Sequence, residues 1–401
     1  MAKAIKTTDE FKIFVEETQK KDGFKKPIGF GICRVDRGQK NSDKILQATY
    51  PVINWNENYG SAAVFVASLE EIGIKVDFSR SEFVASINKQ FLDCAKALFN
   101  PYVDEANGDA HKNIQVVLSI LELAESGVVD IEEAFKVVFI FEDENPKSVE
   151  SVYLKLYALS TGKAPLRGIN LNGAFGILHN VAWSGNMPIE LEWLRENEIS
   201  LKVDGMYPEI SSVDKFPRFL QHIIPADNTR ILDSSKVRMG AQLASGTTVM
   251  PGASYINFNA GTLGPVMVEG RVSSSAVVGS GSDVGGGASI LGVLSGTDGN
   301  PISIGENTLL GANSVTGIPL GDGCIVDAGL AILAGTKVFM DTDEYNKIKE
   351  ANPEWTAEDT DIFKGKTLAG LNGIHFRQDS VTGQIKAFRS TREVKLNEEL
   401  H

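Results

Sequence analysis

The sequence contains little cysteine, little histidine and no long apolar run. Among its 401 residues are three cysteines and five histidines. Cys33, Cys94 and Cys324 are far apart and odd in number, so they predict no disulfide framework and suit the reducing cytoplasm, where we expect the protein to act. Because no apolar run of about 18 residues occurs and no signal-peptide core is present, we expect neither a membrane-spanning helix nor a signal peptide.

Positive charge is also scarce. The chain has 39 lysine and arginine residues against 52 aspartate and glutamate residues, which gives a formal net charge of −13. This balance argues against nucleic acid as a partner, because the phosphate backbone is bound by clustered basic residues. An anionic substrate would need locally concentrated positive charge. The 42% apolar and 23% charged content is that of an ordinary globular protein with room for two or three domains.

A repeat of six residues runs through positions 231–338. Such a hexapeptide repeat is the signature of a parallel β-helix, in which three hexads form one triangular coil and the recurring side chain points into its interior. We therefore predict a left-handed parallel β-helix for this region. The repeat positions are Ile231, Val237, Leu243, Val249 and Tyr255, then Val272, Val278, Val284 and Ile290, then Ile304 and Leu310, and finally Leu320, Val326, Ile332 and Val338.

The composition of the repeat region agrees with this fold. Residues 231–340 hold 21 of the 39 glycines but only 11 of the 91 charged residues. Glycine adopts the backbone conformations that tight corners require. The phase of the repeat breaks at 256–271, 291–303 and 311–319. Because insertions in solenoids tend to loop out on one face, often the binding face, we expect loops at these breaks.

The remaining chain predicts further domains on both sides of the repeat. Helical stripes and alternating strand patterns predict an α/β domain over 1–165, followed by a middle part over 166–228 that forms a substrate domain or a connection. The β-helix would cover 229–340. A charged helix and turn-separated strands over 341–401 predict a small β cap on the exposed edge of the last coil.

Histidine separates the chemistries that are open to a hexapeptide protein. β-Helices of this repeat type are mostly acyltransferases, with some zinc enzymes similar to carbonic anhydrase. A zinc site needs about three ligands, and no histidine lies within 231–340, so the ligand count argues against zinc. The histidine base of sugar and serine acetyltransferases is missing from the coils too, which leaves a carboxylate. The histidines are His111, His179, His222, His375 and His401.

Glu269 differs from the other carboxylates of the repeat. Most of the others follow glycine or serine at corners, where a solvated turn is the expected role, whereas Glu269 lies in a phase break two residues before Arg271. Glu269 is therefore the candidate catalytic residue, and a structural ion pair with Arg271 is the alternative. The glycines at 285–287 would let a thioester lie close to the backbone, where N–H groups bind its carbonyl oxygen, or they form only a tight corner.

Several segments are more specific than the hexads, and together they resemble the tetrahydrodipicolinate N-succinyltransferase family in its long form. The resemblance covers about 231–401 and extends to the segment near 167–183. The segments that carry it are 257–264 (NFNAGTLG), 267–271 (MVEGR), 281–289 (GSDVGGGAS), 310–313 (LGAN), 318–322 (IPLGD), 334–337 (AGTK) and 396–401 (LNEELH).

The resemblance implies a reaction and an assembly. Succinyl-CoA would donate its acyl group to the amine of 2-amino-6-oxopimelate, the ring-opened form of tetrahydrodipicolinate, in diaminopimelate and lysine biosynthesis. Glu269 would be the catalytic residue, as an acyl-anhydride nucleophile or as a base. The family forms homotrimers with active sites between neighbouring solenoids. No cofactor beyond succinyl-CoA is implied, although a divalent cation such as Mg²⁺ lies on the trimer axis of some relatives, and no residue of this chain is assigned to it.

The resemblance also implies a set of substrate and CoA contacts. The chain has aspartate at position 327, where glutamate is expected in some relatives, and Lys347 is matched by spacing alone. The cationic lining that three substrate carboxylates need could come from Arg238, Arg271, Lys337, Lys347 and Arg377. The implied contact residues are Arg271, Gly286, Ser289, Ala312, Asp327, Ala328, Gly335, Lys347, Arg377, Gln378, Asp379 and Ser380.

Two other functions remain open at the level of sequence. One is a different CoA-dependent hexapeptide acyltransferase that acts on a sugar or an amino acid, which a comparison of acceptors would distinguish. The other is a non-enzymatic solenoid, such as a scaffold or an ice-binding protein. An ice-binding face needs regular rows of threonine, and the threonines of 231–340 are irregular.

Overall fold

The computed structural model describes residues 4–293, 299–358 and 360–391. The chain divides into two compact units, one formed by 1–158 with 168–217 and the other by 159–167 with 218–401. The four domains predicted from the sequence stay a prediction. Among the described helices, none is long and apolar enough to cross a bilayer.

The first unit combines helices with two antiparallel sheets. The larger sheet has the order β2-β1-β5-β4, with β3 paired to β1, and the smaller has the order β7-β6-β8. The strands are β1 (Gly29–Arg37), β2 (Ile45–Thr49), β3 (Asn54–Trp55), β4 (Glu82–Ser86), β5 (Phe135–Ile140), β6 (Val181–Ser184), β7 (Met187–Glu190) and β8 (Ser212–Asp214). The helices are α1 (Thr8–Gln19), α2 (Tyr59–Glu71), α3 (Lys89–Leu98), α4 (Lys112–Ser126), α5 (Ile131–Ala134), α6 (Val149–Ser160, which continues into the second unit), α7 (Ala174–Ile177) and α8 (Leu191–Val203).

Local sequence explains why these helices form and pack. Helix α3 begins after Asn88, whose side chain accepts the backbone N–H of Phe91, and it turns Phe91, Leu92 and Ala95 to one buried face. Phe91 packs against Phe65 of α2 with ring centroids 6.0 Å apart, and Phe65 packs against Phe30 of β1 at 6.1 Å. These aromatic side chains bury the helices against one face of the larger sheet.

Glu190, at the end of β7, holds the loop that joins β1 to β2. Its side chain is 1% exposed and accepts the backbone N–H groups of Lys40 (3.0 Å) and Asn41 (3.2 Å), the Asn41 side-chain amide and the Lys44 ammonium (3.3 Å). Burial raises the pKa of this carboxyl, but the bonds from Asn41, Lys40 and Lys44 outweigh burial and lower the pKa to about 2. The ionised form therefore stabilises the folded first unit.

The second unit is a solenoid of three parallel sheets. The first sheet contains β9 (Arg230–Ile231), β10 (Thr248–Val249), β13 (Met267–Val268), β16 (Asp283–Val284), β19 (Leu309–Leu310) and β21 (Ile325–Val326). The second sheet contains β11 (Tyr255–Ile256), β14 (Arg271–Val272), β17 (Ser289–Ile290), β20 (Val315–Thr316) and β22 (Ala331–Ile332). The third sheet contains β12 (Gly261–Thr262), β15 (Val277–Val278) and β18 (Ser303–Ile304).

The chain passes through these sheets in turn, and each two-residue strand pairs with the strand one coil away. Val268 pairs with Val249 on one side and with Val284 on the other, and all three side chains are fully buried. The second residue of the other strands from β10 to β22 is buried in the same way. The predicted six-residue repeat therefore fills the interior of a parallel coil, as expected.

The structure corrects two details of the repeat. Ile256, rather than Tyr255, is the fully buried residue of β11, because the turn after Val249 is one residue longer than a hexad allows. The breaks at 256–271 and 311–319 were expected to loop out, and this was wrong. Both contain shortened turns, because only three residues, 269–271, separate the buried Val268 from Val272, and only 317–319 separate Thr316 from Leu320. The interval between β17 and β18 is the long one.

The C-terminal part continues the first solenoid sheet. Its elements are β23 (Lys337–Phe339), α9 (Thr342–Ala351), β24 (Ile362–Lys364), β25 (Ile374–Gln378) and β26 (Ile385–Arg389). β25 pairs in parallel with β21, so that His375 lies opposite Ile325, and β25 and β26 form an antiparallel hairpin. The described part of this region therefore contains a helix and a β-hairpin that pairs with the edge of the last coil at β21, and the cap domain over 341–401 stays a prediction.

We predict that Glu190→Gln lowers the free energy of unfolding by on the order of 3 kcal/mol at neutral pH. The folded pKa of about 2 lies below the ordinary 4.5, so the stabilisation is complete above pH 4.5 and is lost as the pH falls toward 2. Urea unfolding at pH 7 and pH 3 measures the difference. Glu192→Gln is the control, because Glu192 pairs with Lys40 on the surface, where solvent screens the interaction, and its loss should change the stability much less. An equal loss at both pH values would contradict this role.

Candidate active site

Glu269 occupies the shortened turn between β13 and β14. Its backbone N–H donates to the Val284 carbonyl (2.8 Å), and its carbonyl accepts the N–H of Gly287 (3.2 Å). The half-buried side chain lies beside Gly286, because a methyl group added to Gly286 would be 3.4 Å from Oε2 of Glu269. The turn therefore presents a carboxylate directly against the backbone of the next coil.

The three glycines of that next coil have different roles. Gly285 donates its N–H to the Leu310 carbonyl (2.8 Å), and Gly287 has a φ of +71° and donates to Glu269. In the described part of the chain the N–H of Gly286 has no acceptor. The sequence predicted that backbone N–H groups of this glycine triplet bind a carbonyl oxygen. Of the three, the N–H of Gly286 is the one that remains available in the described chain.

Small residues continue along the same edge of the solenoid. We call the turns between the first and second solenoid sheets (269–270, 285–288, 311–314 and 327–330) the Glu269 edge. Gly286, Ala312 and Ala328 occupy the same position in three successive turns of this edge. The Gly286 carbonyl accepts the N–H of Asn313 (2.9 Å), and the Ala312 carbonyl accepts the N–H of Gly329 (2.8 Å). At about 4.8 Å per coil, the track from Glu269 to Ala328 is roughly 14 Å long.

Arg271 and Ser289 lie side by side on the second solenoid sheet. They are paired across β14 and β17, and the exposed Arg271 guanidinium donates to the buried Ser289 hydroxyl from Nε (3.0 Å) and Nη2 (2.6 Å). A cavity of about 280 Å³ adjoins Arg271 and is lined by Asn257, Arg271, Ser273, Ser274, Ser275, Leu291, Gly292 and Val293. One arginine among several hydroxyl and amide groups is a chemistry that suits a carboxylate.

Asp327 ends the Glu269 edge and is held by the C-terminal hairpin. Its Oδ1 is 2.7 Å from Nε2 of His375, and its Oδ2 accepts Nε–H of Arg377 (2.6 Å). Burial raises the pKa of the Asp327 carboxyl, but the bonds with His375 and Arg377 outweigh burial and hold the pKa below its ordinary value. Arg377 also lies over the Phe388 ring, 5.4 Å from its centroid.

His375 is the residue that the sequence analysis missed. The coils themselves contain no histidine, yet β25 carries His375 into the first solenoid sheet, where it is 9% exposed. The segment belongs to the strands predicted over 341–401, but nothing in the sequence pattern indicated that it pairs with the last coil.

The other implied contact residues lie elsewhere. Gly335 is exposed in the turn between β22 and β23, across the second sheet from the Glu269 edge. Lys347 pairs with Glu344 within α9 (2.6 Å), which raises the pKa of Lys347. Gln378 donates to the Gly383 carbonyl (3.0 Å). Ser380 is exposed in the hairpin turn.

Asp379 is engaged inside the same hairpin. It binds Lys386 (2.8 Å) and accepts the N–H groups of Val381 and Thr382 (3.0 Å each). These bonds, from Lys386 first, lower the pKa of Asp379. Over 4–293, 299–358 and 360–391, no group of three or more histidine, cysteine or acidic side chains comes together to hold a metal ion.

A larger cavity lies at the start of the solenoid, away from these residues. Its volume is about 470 Å³, and its walls come from 160–162, 223–226 and the coil residues 242–244 and 262–263, together with Phe219. At its rim, Ile224 and Leu263 are 96% and 62% exposed. The cavity contains none of the residues implied by the sequence.

Three family models match the chain. The model described as Tetrahydrodipicolinate N-succinyltransferase N-terminal matches 9–176, its middle counterpart matches 178–218, and Hexapeptide repeat of succinyl-transferase matches 301–334. The first two models together cover about half of the chain, and the third falls on the solenoid.

Curated relatives are similar over the full length. A protein of a Nitratiruptor species is 70% identical over 99% of this chain and 100% of its own, and one of Campylobacter jejuni is 57% identical with the same coverage. A protein of Helicobacter pylori is 54% identical over 98% of this chain and 100% of its own. All three are named 2,3,4,5-tetrahydropyridine-2,6-dicarboxylate N-succinyltransferase.

A solved structure is similar as well. A Campylobacter jejuni protein, described as a 2,3,4,5-tetrahydropyridine-2-carboxylate N-succinyltransferase, is 56% identical and superposes with a TM-score of 0.91. The match covers 98% of this chain and 100% of that protein. The similarity therefore includes both units and is not limited to the repeat.

We predict that alanine lowers stability at Gly285 but lowers activity at the adjacent Gly286. A methyl group on Gly285 would lie 2.5 Å from the Leu310 carbonyl oxygen, so Gly285→Ala should destabilise the solenoid by about 1–3 kcal/mol. Gly286→Ala fits sterically but places a methyl group against the Glu269 carboxylate, so it should keep the melting temperature and lower kcat/KM for succinyl transfer on the order of tenfold. Thermal unfolding and CoA release measure the two effects. Full activity in Gly286→Ala would contradict the placement of the site.

Proposed function

Because the chain belongs to the tetrahydrodipicolinate N-succinyltransferase family, we propose that it transfers succinyl from succinyl-CoA to the amine of 2-amino-6-oxopimelate, ring-opened tetrahydrodipicolinate. The observation that carries this proposal is 54–70% identity over nearly the whole chain to relatives named for this transfer. The reaction belongs to diaminopimelate and lysine biosynthesis, which agrees with a cytoplasmic enzyme. We assign no cofactor beyond the CoA thioester.

Glu269 is the proposed catalytic residue. The amine of an amino acid is largely protonated at neutral pH, and an ammonium group cannot attack a thioester, so a base must remove a proton. In this route Glu269 accepts the proton, the nitrogen bonds to the thioester carbonyl carbon, and the carbon–sulfur bond breaks as CoA leaves and takes up a proton. In the covalent route the Glu269 carboxylate itself attacks that carbon and CoA leaves as the thiolate, which takes the proton of the ammonium group. The free amine then attacks the succinyl carbonyl of the anhydride and releases the Glu269 carboxylate.

Gly286 is the proposed donor to the thioester oxygen. Negative charge develops on that oxygen as the carbonyl carbon becomes tetrahedral, and a fixed N–H group nearby stabilises it. The Gly286 N–H lacks an acceptor in the described chain, and Oε2 of Glu269 is close to the same residue. Two neighbouring turns of the Glu269 edge thus offer a nucleophile or base and a hydrogen-bond donor for the developing oxyanion.

The rest of the Glu269 edge is the proposed path for the CoA arm. The small side chains of Ala312 and Ala328 are exposed and leave room for an extended chain next to the backbone. The far end of this path is closed by Asp327, which Arg377 and His375 hold by hydrogen bonds. We propose that the main role of Asp327 and Arg377 is to hold the C-terminal hairpin in position, because their side chains are hydrogen-bonded to each other.

Arg271 is the proposed carboxylate-binding residue. The donor and acceptor substrates together bring three carboxylates to a protein with a net charge of −13, so a local cation is needed. Ser289 accepts from Nε and Nη2 of Arg271 and fixes the orientation of the guanidinium, whose remaining N–H groups can bind a carboxylate in the adjoining cavity. A lysine at this position would lack the planar fork.

We further propose that the solenoid is left-handed and that three copies form a trimer. The hexapeptide model and the two-residue parallel strands support this type of coil. Gly335 and Gly286 lie on opposite sides of the second sheet. In a trimer, the Gly286 side of one copy and the Gly335 side of its neighbour could together form one site. The exposed apolar side chains of Ile224, Leu232 and Leu263 favour contact with another copy of the chain. A trimer with closed threefold symmetry would bury them in every copy.

We predict that Glu269→Gln lowers kcat by roughly 10²–10⁴ because the amide keeps the shape of the side chain but cannot accept a proton. Steady-state CoA release with both substrates measures the loss. Glu306→Gln is the control, since Glu306 is an exposed coil carboxylate in another turn, and this variant should retain wild-type kinetics. Rapid quenching of the wild type should trap succinylated protein if the covalent route operates.

The same samples test the assembly. Both variants and the wild type should sediment as a trimer at micromolar concentration, and a stable monomer would rule the trimer out. A Glu269→Gln protein that is assembled, binds succinyl-CoA and turns over near the wild-type rate would remove Glu269 from both proposed roles.

A further inference from the structure

Arg167 joins three successive coils of the solenoid. Its backbone N–H donates to Oδ1 of Asn259 (2.8 Å), and Nε donates to the Ser275 carbonyl (2.6 Å). Nη1 donates to the Ser303 hydroxyl (2.9 Å) and Nη2 to the Ile302 carbonyl (2.6 Å). One residue therefore connects the turn before β12, the turn before β15 and the start of β18 through four hydrogen bonds.

The backbone at this residue is strained. Arg167 has a φ of +65°, a left-handed conformation that is uncommon for residues other than glycine, asparagine and aspartate. Two of its partners, Asn259 and Ser275, also have positive φ, at +55° and +63°. Glycine would relieve the strain at position 167, so the presence of arginine indicates a role for its side chain.

The turns that Arg167 connects are also the walls of the Arg271 cavity. Ser275 both accepts from Arg167 and lines the cavity, and Asn257 lies in the same turn as Asn259. The opposite wall is formed by 291–293, and the guanidinium binds farther along the chain, at Ile302 and Ser303. The hydrogen bonds of Arg167 therefore hold in place the two turns that contribute Asn257 and Ser275 to the cavity.

We propose that Arg167 is a positioning residue that sets the shape of the Arg271 cavity and thereby the affinity for the substrate carboxylate bound there. This inference rests on the proposed function of Arg271. Arg167 acts through Ser275, Ile302 and Ser303 and does not itself bind the substrate. Its planar fork is essential, because one ammonium group cannot reach three acceptors on two coils in the same geometry.

The experiment compares KM, kcat and melting temperature for Arg167→Gly and Arg167→Lys with both substrates varied. Glycine suits the left-handed backbone, so the Gly variant should fold and keep a melting temperature close to that of the wild type. We expect KM for one substrate to rise roughly 10- to 100-fold in both variants, with kcat almost unchanged. Arg80→Gly, which removes an exposed arginine in a loop of the first unit, is the matched control and should leave KM unchanged.

The Arg271→Lys variant separates this proposal from the one on which it rests. If both hold, Arg271→Lys raises KM for the same substrate, and the double variant Arg167→Gly/Arg271→Lys shows less than the product of the two effects, because one cavity is damaged twice. An unchanged KM in Arg271→Lys would overturn the carboxylate role of Arg271. A raised KM in Arg271→Lys together with a normal KM in Arg167→Gly would overturn the positioning role alone, as would a wild-type KM in Arg167→Lys.

Discussion

The register of the parallel coils is the constraint on which the site depends. Each strand of the solenoid is only two residues long, and its buried residue stacks on its equivalents one coil above and below. Because this stacking fixes where every turn begins, turns of different length and composition can be placed on the same edge without disturbing the core. Gly285 illustrates how closely the coils approach, since a methyl group there would meet the Leu310 carbonyl oxygen.

Most of the proposed functional groups lie in the turns, whereas Arg271 and Ser289 lie in strands β14 and β17. The two-residue turn at 269–270 places a carboxylate where the neighbouring coils have backbone and small side chains. The second sheet places Arg271 beside Ser289, and Arg167 joins the turns on the far side of the same sheet. A rigid interior thus holds a carboxylate, a guanidinium and a free N–H group in fixed relation, which is what acyl transfer requires.

The residue pattern alone predicted the solenoid, because the residue that is buried in each coil recurs about every six positions in the sequence. The prediction was less accurate where the spacing between buried residues deviates from six. Ile256 replaces Tyr255 after a turn one residue too long, and shortened turns were interpreted as loops. His375 and Arg167 could not be placed, because both reach the coils from segments distant in sequence and their spacing relative to the hexads carries no signal. Glu269 could be singled out from the sequence because it lies where the repeat is interrupted. Its contact with Gly286 could not be predicted, because that contact depends on how the coils stack.

A crystal structure of the protein with bound CoA would show whether the thioester lies along the Glu269 edge with its reacting end at Glu269. We expect the sulfur atom beside Glu269 and Gly286 and the pantetheine arm along Ala312 and Ala328. CoA bound along another edge of the solenoid, with its sulfur far from Glu269, would exclude the Glu269 edge as the site of acyl transfer.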